Sequence, residues 1–289
     1  MSKTYIGVGN LAKNVNKIYV GVGGIAKQVK KAYVGVGGIA KEFYKSGLSG
    51  LVAKTWYNRP SSFNPIHNWT DGTNIYYSKD DYHYILNKSN STWIEKTWSG
   101  LTEFNGEYVW TDGTNIYYSN FYDMYVLNKS NSTWSAKTWS GISMMIGDRI
   151  WTDGTNIYHS YNSLQHVLNK SNSTWSKKTW SGLTNFNGQY IWTDGDNIYY
   201  SKGTEQYILN KSNSTWSAKT WSGLTNFDGD KIWTDGTDIY YSNGTNQYIL
   251  NKSNSIWSAK TWSGYSNLDG SYVWTVDNNV YYDDDYEFV

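Results

Sequence analysis

The chain contains no cysteine in its 289 residues, which excludes disulfides and thiolate metal sites. No apolar run approaches the ~20 residues that a membrane-spanning helix requires. The opening residues, Met1-Ser2-Lys3-Thr4-Tyr5, lack the apolar stretch of a secretory signal. Synthesis in a cytoplasm is therefore expected, with any exit by another route such as particle assembly and lysis. Helical periodicity is missing from end to end. Histidine occurs only as His67, His83, His159 and His166, and none sits in a pattern that suggests nucleophilic catalysis. The expectation is a protein that is not an enzyme and uses neither cofactor nor metal.

What is abundant is aromatic. There are 17 Trp and 28 Tyr against 7 Phe; both residues favour strands and combine large buried area with a polar handle. Charge is divided unevenly. Residues 1–45 hold eight Lys and one Glu, a net +7, whereas the remaining 244 hold 17 basic and 23 acidic residues, a net −6. A basic arm on an acidic body points to different partners for the two parts. The body has no electrostatic footprint for nucleic acid.

Two internal repeats organise the chain. The first has a period of 14: Tyr5-Ile6-Gly7-Val8-Gly9 recurs as Tyr19-Val20-Gly21-Val22-Gly23 and Tyr33-Val34-Gly35-Val36-Gly37. Each unit alternates, turns at Gly-Gly or Gly-Asn, and alternates again, which predicts a β-hairpin. The second repeat places Trp69, Trp110, Trp151, Trp192, Trp233 and Trp274 at intervals of 41. Its clearest unit runs from Gln189-Tyr190-Ile191-Trp192-Thr193-Asp194-Gly195 to Lys219-Thr220-Trp221 and predicts four strands. Asp-Gly joins the first two strands and Asn-Lys-Ser-Asn-Ser the last two. Leu51–Trp56 matches only a fourth strand, and the last repeat stops after a third, at Tyr286–Val289. The two ends together complete one sheet and close a ring without free edges.

The predicted architecture is all-β: a six-bladed β-propeller over residues 51–289, preceded by a hairpin element (1–45) and a connector (46–50). The third strand, polar turn and fourth-strand Trp of Tyr207-Ile208-Leu209-Asn210 to Trp216 resemble kelch repeats. Asp194-Gly195 replaces the kelch Gly-Gly doublet, so the resemblance implies architecture alone. The short units of 1–45 resemble tandem repeats in tail and fibre proteins of phages of Gram-positive bacteria. That resemblance implies attachment to a virion or phage-tail-like particle, hence a virion localisation with extracellular action. A six-bladed sialidase would require a three-arginine cluster, and this chain has only Arg59 and Arg149.

In a four-stranded propeller the turns between strands two and three share a face with the blade-to-blade connections. Those segments vary among the six copies, while the other turns barely change. The expected ligand-binding residues are Tyr82, His83, Phe121, Tyr122, Met144, Met145, Tyr161 and His166. The expected partners are particle proteins through 1–45 and a bacterial surface polysaccharide or protein through the variable face. Membrane insertion is not expected, and a homo-oligomer is compatible with the repeats. Two other readings are a structural decoration or scaffold subunit, and a multivalent lectin with one equivalent Trp- and Asn-bearing site per blade. The Asp283–Glu287 cluster has the carboxylates of a Ca²⁺ site but not the spacing, and is expected to be a solvated end.

Overall fold

A computed structural model describes residues 48–61, 63–276, 279–283 and 285–289, together with the backbone of six short strands between 5 and 45. Six four-stranded antiparallel sheets follow one another as blades of a propeller. Blade 4 is representative, with strands Ile191–Thr193, Ile198–Lys202, Glu205–Asn210 and Thr215–Ala218. Its second strand buries Ile198, Tyr199, Tyr200 and Ser201 in succession, because neighbouring blades cover both of its faces. The fourth strand buries only Trp216.

The 41-residue spacing has a packing cause. Trp192 stacks on Tyr199 at 4.5 Å and lies 5.6 Å from Trp221, which follows the same blade's fourth strand. Trp257, from the fourth strand of blade 5, closes on Trp192 at 6.1 Å and on Trp221 at 6.0 Å. Each interface thus takes indoles from two blades. The Trp192 ring nitrogen donates to Ser201 Oγ at 2.9 Å, which explains the serine at this place in blades 1 to 5; in blade 6 Trp274 donates instead to the Asp283 carbonyl at 2.7 Å. Lys219 lies over the Trp221 ring at 4.6 Å and donates to Ser255 Oγ of the next blade at 2.9 Å, which explains Lys-Thr-Trp. Every tryptophan is buried except Trp56, which is half-buried. The recurring indoles are core and offer no exposed platforms to sugars.

Near the axis, a 3-10 turn precedes the first strand of every blade, and each turn touches the next around the ring. A Cβ on Gly188 would fall 2.2 Å from the Arg149 carbonyl oxygen of the preceding turn, so only glycine permits this approach. The invariant Asp-Gly turn is fixed by its aspartate. Asp194 Oδ1 accepts from the Asp196 and Asn197 amides at 3.0 and 2.7 Å, and Oδ2 accepts from the Tyr199 hydroxyl at 2.9 Å. Burial alone would raise this carboxyl, but those donors hold it below the usual range.

Leu51–Ala53 is the outermost strand of blade 6, pairing Leu51 with Phe288 and Ala53 with Tyr286. The sequence-based expectation of a ring closed by both chain ends holds. The ring's bonding starts upstream of residue 51: Leu48 is buried, and Ser49 donates its amide to the Val289 carbonyl at 2.8 Å. Asp285 and Glu287, in the end expected to be solvated, pair across this seam with Arg59 at 3.0 Å and Lys54 at 3.6 Å, and Asp285 remains exposed. The arm's strands form three separate hairpins, pairing Val8 with Leu11, Val22 with Ile25 and Val36 with Ile39. The predicted arm turns and part of the predicted connector lie outside the described residues.

This closure makes a truncation pair informative. A chain beginning at Ser46 should keep the denaturation midpoint of the full protein. One beginning at Lys54 loses the buried Leu48 and Leu51 and opens a sheet edge, and should lose at least about 3 kcal/mol. Equal midpoints in urea titrations of the two chains would refute the closure argument.

Candidate binding face

The strand directions give the ring two unlike faces. The lower face carries the turns between strands one and two and between three and four. The upper face carries the turns between strands two and three, joined to the connections that lead inward to the next blade. Phe104 donates its amide to Asp80 O at 2.9 Å, and Phe227 donates to Gly203 O at 3.0 Å. In blade 2 the link is a short ladder, Asn120 with Ile146 and Phe121 with Met145. Both variable sets of segments therefore lie together, as the sequence predicts.

The eight expected residues separate into two groups. Tyr82, Phe121 and Tyr122 are exposed on the upper face, by 56, 45 and 77 %. Met144 and Tyr161 are half-buried beside them. Arg149 places its guanidinium 6.0 Å from the Tyr161 ring centre. Leu164, absent from the expected set, is also exposed; it is the first residue of a third strand, at a place where blades 4 and 5 have Glu205 and Asn246. Copy-by-copy comparison of that position reveals it.

Met145, His83 and His166 do not project from this face. Met145 has no exposed surface and fills the place of Phe104, Phe186 and Phe227. His83 is buried where later blades have Met124, Gln165, Gln206 and Gln247. Its Nε2 donates to the Thr102 carbonyl at 2.8 Å, and its ring stacks on Phe104 at 4.6 Å. Gln206 performs the same tie in blade 4, donating to Gly203 O at 2.7 Å and Phe227 O at 3.1 Å. His83 thus fastens the connection, with its pKa lowered by burial. His166 lies within the third strand of blade 3, half-buried opposite His159.

One turn stands out. In blades 1 to 5 each upper turn has two residues between paired strand ends, and the first takes a positive φ. Gly203 and Gly244 occupy that place in blades 4 and 5, with φ of 59° and 63°. In blade 2 it is Phe121, at 56°. A bulky L-residue in this region costs roughly 1–2 kcal/mol, and such strain clusters at functional sites. The result is an adjacent aromatic pair, Phe121-Tyr122, held out to solvent on a tight hairpin.

The His159–His166 pair gives blade 3 a pH response. Other blades have tyrosines at both positions, as in Tyr200 and Tyr207. His159 is fully buried, and burial, with His166 and Arg149 adding to it, lowers its pKa from 6.5 to about 3. The unfolded chain therefore takes up a proton that the folded protein refuses. Stability is complete above pH 6.5 and erodes as pH falls through the window toward 3. Between pH 6.5 and 5 the loss from His159 is about 2 kcal/mol. His159→Tyr should remove that slope, read from urea midpoints at pH 7 and 5. An unchanged slope would show that other groups produce it.

Comparison with known proteins returns fold and no family. No family model and no curated protein matches the chain. Two solved structures of one extracellular domain of B. thetaiotaomicron are similar to it, assigned respectively to a hybrid two-component and a one-component system. They share 13 and 12 % identity, with TM-scores of 0.52 and 0.50 over 81 and 77 % of this chain. The matched region is 36 and 33 % of those chains, so this protein spans about a third of their length. The likeness is one of fold: an all-β propeller of six four-stranded blades.

Proposed function

We propose that this protein is a non-enzymatic binding subunit of a phage or phage-tail-like particle, which recognises a host surface through the upper face. The observation that carries this reading is the opposition of anchor and display. Strand four of every blade runs from the lower face to the upper one, and Leu51–Ala53 is such a strand. The chain therefore enters the ring at its lower rim, at Leu48, while Phe121 and Tyr122 project from the upper face. A particle held by the arm would leave the aromatic turn pointing outward. The resemblance of the 14-residue repeats to phage tail and fibre repeats supports the particle half of the reading.

Exposed aromatic side chains suit recognition of either a protein or a glycan, since they supply contact area at low entropic cost. The histidines do not present themselves to the binding face: His67, His83 and His159 are buried and His166 is half-buried, which favours a binding role over histidine-based catalysis.

Binding of the full chain to whole cells and wall fractions of Gram-positive hosts tests the reading. Tyr82→Ala with Phe121→Ala and Tyr122→Ala should lower affinity at least tenfold, as loss of a central aromatic anchor does. Phe121→Gly alone should weaken binding while the fold gains up to about 1 kcal/mol, since relief of strain exceeds glycine's added unfolded-state entropy. Saturable binding that survives the triple change would move the site off this face. No binding to any fraction would favour a scaffold subunit.

A further inference from the structure

The two charged parts of the chain match in sign, size and position. Among the described residues, the upper-face turns, the inward part of the connections after the Lys-Thr-Trp segment, and the 3-10 turns hold twelve carboxylates against five cations, a net −7. The lysines that open the connections turn away from this face, Lys96, Lys178 and Lys219 donating to serines of the next blade's lower turn. Asp80, Asp81, Glu103, Asp123, Glu205 and Asp285 are exposed. Three of the five cations are already tied to carboxylates: Arg59 to Asp285, Arg149 to Asp148 and Lys231 to Asp269. Carboxylates on this face also crowd one another. Asp148 and Asp230 are raised above the ordinary carboxylate range, first by burial, and in part by Glu107 and by Asp228 with Asp269 respectively.

The arm carries the complementary charge in a regular row. Lys3, Lys17, Lys31 and Lys45 recur every 14 residues, as do Lys13, Lys27 and Lys41. Each arm hairpin pairs only within itself among the described residues, and an isolated two-stranded hairpin is marginal in water. Hairpins of this kind gain from a partner surface, and no described residue covers the acidic face with its exposed Tyr82, Phe121, Tyr122 and Leu164.

We propose that residues 1–45 of one copy dock on the upper face of a second copy. The chain enters the ring at the lower rim, at Leu48, on the side opposite its own upper face. Successive copies then stack in one direction. Such a contact is heterologous and does not close on itself. The product is a fibre with a free arm at its base and one uncovered upper face at its tip. This goes beyond host recognition and does not depend on it.

Sedimentation of the full chain over a concentration series tests the proposal at about 0.05 M and about 1 M salt, where screening differs several-fold in range. Mass should rise with concentration at low salt and return to that of one chain at high salt. Asp81→Lys with Asp123→Lys and Glu205→Lys should reduce association at least tenfold. So should Lys13→Glu with Lys27→Glu and Lys41→Glu. Mixing the two variants should restore association, because each then meets an opposite charge, and a misfolded variant could not be rescued. A single-chain mass at every concentration overturns the proposal. So does salt-dependent compaction at constant mass, which would place each arm on its own ring. Cell binding by the Tyr82, Phe121 and Tyr122 variant is a separate measurement, so either reading can fail alone.

Discussion

The structure depends on one contact repeated around an axis: an indole from one blade set against two indoles of its neighbour. Trp257 against Trp192 and Trp221 is the pattern, and Trp216 meets Trp151 and Trp180 in the same way. At the seam the aromatic is Phe288, 4.7 Å from Trp233, with Leu51 beside it on the closing strand. A Trp side chain is large enough to span the gap between splayed sheets, and tilted ring pairs at these distances add about 0.5–1.5 kcal/mol beyond area burial. Because every interface except the seam uses the same three indole positions, the repeat cannot drift there without opening the ring.

That constraint separates what was legible in the sequence from what was not. The interval of 41 fixed the blade count, and the partial first and last repeats located the seam, because both follow from packing that recurs identically. The upper-face site was half legible. Tyr82, Phe121 and Tyr122 occupy turns, where a side chain in a variable position faces solvent. His83 and Met145 differ from their counterparts too, yet they replace Gln206 and Phe227 at positions buried in every blade. Variation there is core substitution and not display. Aligning the copies column by column separates the cases: Met145 lies in a column of large apolar residues, and His83 in a column that is Gln in blades 3 to 5 and Met124 in blade 2. Burial of His166 opposite His159 needed the strand register, which sequence spacing alone did not supply.

The two faces also differ in how much freedom they grant their residues. On the lower face, Asp71, Asp112, Asp153 and Asp194 each accept two backbone amides and a tyrosine hydroxyl, so changing any one leaves several donors unmatched. Lys129, Lys170, Lys211 and Lys252 then reach carbonyls of the preceding blade's turn and lock the rim. The upper turns ask only for a positive φ at one position, which Gly, Asn, Asp and, under strain, Phe all satisfy. Diversity is inexpensive on one side of the ring and nearly forbidden on the other.

The strand that closes the ring is covalently continuous with the arm. Any tension on residues 1–45 reaches the propeller first at Leu48–Ala53, which is held by the Ser49, Leu51 and Lys54 amides and by Lys260 on the Leu48 carbonyl. Pulled along its own axis, that segment loads these bonds together in shear, not one after another as an edge is peeled. The seam therefore acts as the mechanical fuse of the molecule: a tug on its tether is felt by the ring's closure before any single blade bears it.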